Sequence, residues 1–473
     1  LTALLFYTKL NAKTQFHQDA AKIAFDERHR QTIHFNIARY DTAVANGYQR
    51  YESISLAKDR AAYIKCEMLI HWDDYLLQFE ENITNRGARV IWAEDAHEVM
   101  EQVKQLLIEN QAKLLVKSKS MTTEEVSFNE EVAHVGCESV ETDLGEFIVQ
   151  VAGERPYHIV TPAMHKSKED IAALFYEKFA TPADSTPEEL TAFVRNLLRK
   201  KFTSADVGVT GANFLIADIG AVAVTENEGN ALMSTSFPKL HIVISGIEKV
   251  IPKMSQLGIF HPLLATLGTG QQMTAYNTLF TGPRQEGEVD GPEQLVVILM
   301  DNGRTKVYED AEVNEVLSCI RCGACLNACP VYKTIGGYTY NTTYSGPIGS
   351  VITPFFKGMS EMGHLSFACS LCGKCGEVCP VCIPLPKLLL INRRKVVEET
   401  ARPLAERWGM ESFALLAKHR FWFDFMPSWI KNVGTAPFNF TLWGPKRKMP
   451  TFHRSFTKQW NQQHNYNTQA DQY

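Results

Sequence analysis

Apolar positions in the first eighty residues, such as Ile33, Phe35, Ile37 and Tyr40, alternate with Arg, Asp and Glu and are rarely interrupted by Gly or Pro. This spacing predicts a helical N-terminal extension over residues 1–80. Arg28, Arg30 and Arg39 on these helices suit a solvated face. From residue 81 the pattern changes to short β-branched runs at 88–92, 113–117, 158–161, 214–217, 221–225, 241–245 and 294–300. Helical periodicity lies between them at 98–110, 166–179 and 187–201. The alternation predicts an α/β domain over 81–304 with a largely parallel sheet, whose ligand sites lie beyond the carboxyl ends of its strands. The turn Asp301-Asn-Gly-Arg304 closes that domain. Residues 305–395 follow as a cysteine-rich module, and 396–473 as a helical, aromatic region ending in a Gln- and Asn-rich tail of disordered character.

Composition changes this picture little. Of 473 residues, 45% are hydrophobic and 21% charged, as in ordinary globular domains, and the net charge of −5 argues against nucleic acid as a partner. The uncharged stretch 258–283 is long enough to span a bilayer, but its Gln, Asn, Gly and Thr residues predict loops and short elements instead. Any membrane contact is therefore expected to be peripheral or through a partner. Cys66, Cys137 and Cys382 are the only cysteines outside one repeated pattern, so no disulfide framework is expected, and a cytoplasmic location follows.

The repeated pattern carries the chemistry. Cys319, Cys322, Cys325 and Cys329 precede Pro330, and the same spacing returns at Cys369, Cys372, Cys375 and Cys379 before Pro380. Three thiolates spaced in this way let one tight turn wrap three corners of a cubane, with backbone N–H groups directed at sulfur. Zinc generally takes two Cys-x-x-Cys pairs, not a triplet with a trailing Cys-Pro. Two [4Fe–4S] clusters are expected. In two-cluster ferredoxins the trailing cysteine ligates the other cluster, which pairs Cys319, Cys322 and Cys325 with Cys379, and Cys369, Cys372 and Cys375 with Cys329. The insert between the two runs is much longer than a ferredoxin hairpin, suggesting the helical two-cluster module of respiratory iron–sulfur subunits.

Other candidates have competing readings. Lys117 and Lys119, with Ser118 and Ser120, precede a helix start that the spacing places at Thr122-Thr-Glu-Glu125; they suit a phosphate or carboxylate site, or simply an exposed strand end. Asp143 and Glu146 suit acid–base or ligand chemistry, or N-cap and N3 positions of a helix. Asp218-Ile-Gly220 reads as a turn, and His158 and His165 as structural histidines. The aromatic series Phe421, Trp422, Phe423, Phe425, Trp429, Phe438, Phe440 and Trp443 suits local packing or a docking surface. Lys446, Arg447, Lys448, Arg454 and Lys458 make the tail basic.

With Thr210-Gly-Ala-Asn213, the segment 218–230, Gly282-Pro-Arg284, Asp290-Gly-Pro292 and Asp301-Asn-Gly-Arg304, these motifs resemble the lactate-utilisation protein B family over roughly residues 50–460. The resemblance implies a LUD-type α/β domain similar to ribose-phosphate isomerase and CoA-transferase folds, followed by an α-helical ferredoxin. It implies an iron–sulfur electron-transfer subunit in cytoplasmic oxidation of L-lactate to pyruvate, working with a cysteine-rich redox subunit and a second LUD-type subunit. Related glycolate- or glycerol-3-phosphate-oxidising assemblies remain open within the same class. So does an α/β domain that itself binds or transforms a carboxylate or phosphate metabolite through Lys119, Asp143 and Glu146. No flavin or nicotinamide fingerprint is present, which favours an electron relay over a complete dehydrogenase. Cys382 departs from the family pattern and suits a buried bystander, an alternative ligand or a redox-sensitive site, of which the bystander is favoured.

Overall fold

Four helices open the described chain, at Ala12–Ile23, Glu27–Tyr48, Ile54–Ile70 and Trp72–Thr84, the first three capped by the side chains of Asn11, Asp26 and Ser53. Their buried faces carry Ile33, Ile37, Ile64, Met68, Phe79 and Ile83. The computed structural model describes residues 11–399, 404–419, 425, 427–440, 448–453 and 460. It divides into two units, one ending at Glu399 and one beginning at Thr400, taken separately below.

The first unit contains ten strands: β1 (Arg89–Ala93), β2 (Leu114–Lys117), β3 (Glu138–Glu141), β4 (Val207–Thr210), β5 (Phe214–Ile216), β6 (Ala221–Glu226), β7 (Leu240–Gly246), β8 (Val250–Ile251), β9 (Tyr276–Phe280) and β10 (Gln294–Met300). Six form a sheet in the order β1-β10-β7-β4-β2-β3, with every pairing parallel. Its inner strands are buried on both faces, as β7 is throughout, because helices cover the sheet on each side. A second sheet, β8-β5-β6-β9, is mixed, with β5 and β6 antiparallel across the turn ending at Gly220.

The apolar runs at 88–92, 113–117, 214–217, 221–225, 241–245 and 294–300 are strands to within a residue or two, and the three helices between them form. The run at 158–161 is not a strand. There His158 Nδ1 accepts the N–H groups of Val160 and Thr161, giving the backbone a local partner in place of a ladder. Strands β3, β4, β8 and β9 went unpredicted: β3 is half acidic, and Gly208 in β4 leaves no room for a side chain against the helix Asn230–Ser236. The stretch 258–283 forms the helix Leu257–Thr269, a loop and β9, and no described helix is long and apolar enough to cross a membrane.

Beyond Met300 short helices frame the cysteine runs, and two longer ones, Gly346–Lys357 and Leu385–Glu399, pack against each other. Their buried residues Val351, Ile352, Leu388 and Leu389 belong to the same apolar core as Ile33 and Phe79 of the N-terminal helices and Val222 of β6. The core is thus continuous across residue 305. The second unit contains helices Leu404–Lys418 and Ser428–Thr435, with Asn432 bonded to both backbone groups of Phe452 and with Phe425, Trp429 and Phe440 exposed. Phe421, Trp422, Phe423, Trp443, Lys446, Arg447, Arg454, Lys458 and the Gln- and Asn-rich tail lie outside the described residues.

Candidate metal centre and adjoining cavity

The two cysteine runs fold into two copies of one loop. In each, the residue before the second cysteine is left-handed, Arg321 at φ 59° and Leu371 at φ 54°, a conformation costly for either side chain. Glycine follows that cysteine, also left-handed, at Gly323 (φ 78°) and Gly373 (φ 85°), and starts a short helix bearing the third cysteine. The turns aim N–H groups at sulfur: Arg321 N lies 3.4 Å from Cys319 Sγ and Leu371 N 3.3 Å from Cys369 Sγ. The trailing cysteines are served likewise, by Tyr332 N at 3.5 Å from Cys329 Sγ and Ile383 N at 3.3 Å from Cys379 Sγ. Such donors offset negative charge on sulfur.

Cys319, Cys322, Cys325 and Cys379 line one small cavity, closed by Ile320, Ile348 and Leu385. Burial pushes the Cys379 thiol up to about 12, and the neighbouring Cys319 adds to the rise. Cys322 and Cys325 are raised further for the same reasons. On the other side, burial raises Cys375 to about 12 with help from Cys369 and Cys329, and Cys329 is raised by burial and by Cys369 and Cys372. Thiols gathered in this way, with N–H donors aimed at sulfur, suit a cluster whose iron takes them as thiolates. Among the described residues no three His, Cys, Asp or Glu gather tightly enough for a single metal ion, whereas a cubane holds its thiolates at separate corners.

A web of buried charge surrounds the first run. Arg304 is bidentate to Glu125, at 2.9 Å from each oxygen, and its Nε donates to Glu248. Arg321 reaches Glu248 at 3.3 Å and stacks over Tyr344, whose hydroxyl donates to Glu125 at 2.7 Å. Burial would raise the Glu248 carboxyl, but Arg304 and Arg321 overcome it and hold it down at about 2. Burial lowers Lys65 to about 7 and Lys249 to about 8, with Glu248 opposing the shift in both. Arg304 and Arg321 thus pair with Glu125 and Glu248 beside Cys319, with Lys65 and Lys249 buried close by, an environment rich in basic groups that suits an anionic cluster.

Above this web lies a cavity of about 400 Å³, built from loops that follow β2, β3, β4, β6 and β7 and from the first cysteine run. Lys119 and Asp143 line it, with Asn213, Glu226, Glu228, Lys249, Arg321 and Cys322. The helix Leu257–Thr269 reaches Cys322 through Gly268, where a Cβ would stand 2.9 Å from the Cys322 carbonyl oxygen.

Glu146 does not line this cavity. It is buried beside Lys117, whose ammonium lies 2.8 Å from Glu141, 3.6 Å from Glu124 and 3.7 Å from Glu146. Burial opposes charge on Lys117, but the three carboxylates keep it ionised, while burial pushes Glu146 well above the usual carboxylate range. Lys117 is thus no exposed strand end. Asp143 caps the helix Leu144–Ala152 by accepting Glu146 N at 3.0 Å, and so has both a capping and a cavity position. Lys119 Nζ donates to the Val160 carbonyl. The helix near Thr122 is capped by Ser120, two residues earlier than the spacing indicated. His165 is paired with Glu154 at 2.7 Å. Cys382 is exposed, not buried, and its thiol lies 3.8 Å from Asp59. Sequence reasoning missed Arg321 and Lys249 as cavity residues, although the charged Arg321 between two cysteine ligands was a readable signal.

Residues 76–300 match the LUD domain family and residues 315–383 the 4Fe-4S dicluster domain family. The chain is 40% identical over 415 residues to "Lactate utilization protein B" of Bacillus velezensis, covering 85% of this chain and 87% of that one. It is 38% identical over 461 residues to "Uncharacterized electron transport protein YkgF" of Escherichia coli, covering 93% and 96%. A crystal structure of a DUF162 family protein from Deinococcus radiodurans aligns with 48% of this chain and 98% of its own at 14% identity and a TM-score of 0.28. With a LUD domain, an iron–sulfur dicluster domain and relatives of this identity over most of its length, the chain belongs to the lactate utilization protein B family.

Proposed function

We propose that this chain is the iron–sulfur electron-transfer subunit of an assembly that oxidises L-lactate to pyruvate, carrying two [4Fe–4S] clusters. Cys319, Cys322, Cys325 and Cys379 hold the first cluster, and Cys369, Cys372, Cys375 and Cys329 the second. The observation that carries this reading is where the trailing cysteines lie. Cys379 lines one cavity with the first triplet, and the Cys329 thiol feels Cys369 and Cys372 of the second. When bound, a cubane held by four thiolates accepts and releases single electrons. The chain's own residues present sulfur, donate backbone N–H groups to it and, at the first site, surround it with buried cations.

Oxidising a 2-hydroxy acid removes two electrons and two protons, so the chemical step is assigned to a cysteine-rich redox partner, with a second LUD-type subunit completing the assembly. The α/β part, 81–304, is of the ribose-phosphate isomerase and CoA-transferase type in this reading, and 305–395 is the helical ferredoxin. The assembly is cytoplasmic, with any membrane association through its partners.

The test is reconstitution. Protein purified without oxygen should carry about eight irons per chain and, alone with L-lactate and an artificial acceptor, show no turnover. Adding the partner subunits should restore pyruvate formation. Zinc in place of iron, or robust lactate oxidation by the isolated chain, would overturn the relay.

A further inference from the structure

We propose that the cavity of about 400 Å³ is a binding site for a small 2-hydroxy- or 2-oxo-carboxylate, shared between the α/β domain and the first cysteine loop, with Arg321 as its anion-binding residue. The inference deepens the relay reading and rests on it only in that the cluster keeps the 319–325 loop in place.

Arg321 is the first reason. Its side chain is 7% exposed, it lines the cavity, and its Nε and Nη1 are buried without a hydrogen-bond partner, although Nη2 reaches Glu248. A buried guanidinium with two unused nitrogens is costly unless a ligand or water completes it. Carboxylates complete guanidinium groups well, because their two oxygens match its planar fork. Ser118 Oγ lines the same cavity and is also buried without a partner. Lys249, itself 8% exposed, adds a second cation beside Arg321.

Polarity supplies the second reason. Asp143, Glu226 and Glu228 also line the cavity, so acids and cations share it. Glu228 is pushed up to about 7 by burial and by Asp143, so near neutral pH it can donate or accept a hydrogen bond. A phosphate dianion would meet repulsion from these acids. A monoanion bearing a hydroxyl or oxo group next to its carboxylate satisfies both the cations and the acids. The loops involved follow the carboxyl ends of parallel strands, where open α/β sheets bind ligands. Because Arg321 lies between Cys319 and Cys322, occupancy of the cavity alters the charge felt at the first cluster site.

The experiment uses iron-loaded, oxygen-free full chain, titrated calorimetrically with L-lactate, pyruvate and inorganic phosphate, with the low-temperature EPR spectrum of the reduced protein recorded at each end point. Saturable binding of L-lactate or pyruvate, with a change in one of the two cluster signals, is expected. Arg321→Gly suits the left-handed backbone while removing the guanidinium, and should weaken binding by about tenfold or more. Lys249→Met tests the cavity from the α/β side and should weaken it severalfold. Leu371→Gly, the same position in the second loop, should leave affinity unchanged. If Arg321→Gly loses iron, Lys249→Met decides. No saturable binding of either acid to fully iron-loaded protein, wild-type affinity in both cavity variants, or tighter binding of phosphate would each overturn the proposal. Failure of the wild-type chain to hold iron would instead count against the relay reading.

Discussion

The two cysteine loops share spacing and backbone yet lie in different surroundings. At the first, Cys322, Cys325 and Cys379 are buried, the α/β domain closes over the loop at Gly268 and Val160, and buried charges crowd around it. At the second, Cys372 is exposed and Cys369 half-buried, with Phe367 and Leu371 beside them at 52% and 38% exposure. The left-handed position that carries Arg321 in one loop carries Leu371 in the other. Spacing specifies a ligand loop. What that loop faces, an internal polar cavity or the protein surface, depends on what packs against it. The first loop therefore lies against a cavity, which Cys322 lines, and the second brings Cys372 to the protein surface.

The largest effect expected from this contrast comes from the ligands themselves. Cys325→Ser and Cys372→Ser should each remove about half of the iron, but Cys325→Ser should also lower the melting temperature far more, since it empties a buried site at the core. Equal losses of stability would erase the distinction between inner and outer. The pairing is tested in the same way: Cys379→Ser should perturb the signal that Cys325→Ser perturbs, not that of Cys372→Ser.

Next in size is the charge web. Glu248→Gln leaves Arg304 and Arg321 poorly compensated in the interior and should cost about 3–5 kcal/mol in denaturant unfolding. Glu312, which pairs with Arg394 at the surface, should cost less than about 1 kcal/mol when changed to Gln.

Acid should expose the same division. Burial alone drives His241 down from 6.5 to about 3 on a fully buried strand, where it bonds Thr210 at 2.8 Å. Between those values the unfolded chain binds a proton and the folded chain does not, so this contribution is complete above pH 6.5 and is lost as pH falls, at about 1.4 kcal/mol per unit. Glu248, held at about 2 against an ordinary 4.5, keeps its contribution above pH 4.5 and loses it only as pH falls from there. Urea midpoints measured from pH 7 to 4 should therefore fall well before Glu248 titrates, and His241→Gln should flatten the upper part of that decline. A small effect of opposite sign belongs to Leu371→Gly, which relieves a left-handed backbone and should gain about 1 kcal/mol.

Much of this fold was legible because its signals are local. The apolar run of β10 is long and uninterrupted, and the helix starting at Pro187 announces itself through Thr186 and Glu189 as a capping box. Strand β3, Glu138–Glu141, was not legible, since its acidic residues are tolerated only because Lys117 and Lys201 come to meet them. The cavity was half legible. Lys119 and Asp143 stand where loops after parallel strands were expected to be chemically rich, whereas Lys249 joins them from a segment with no sequence mark of a shared site, and Arg321 was marked only as a charge between two cysteine ligands.

By itself the sequence determined the cysteine loops, because spacing, glycine and the trailing Cys-Pro act within a dozen residues and need no distant partner. It also determined the parallel α/β character, through hydrophobic periodicity. Only the tertiary structure decided which carboxylate faces the cavity and which is buried beside Lys117, since Asp143 and Glu146 are three residues apart and the helix they begin turns them to different surroundings. It alone decided that the α/β domain covers the first cysteine loop while the second leaves Cys372 exposed. Burial and charge pairing depend on groups brought from far along the chain, and no local pattern records them.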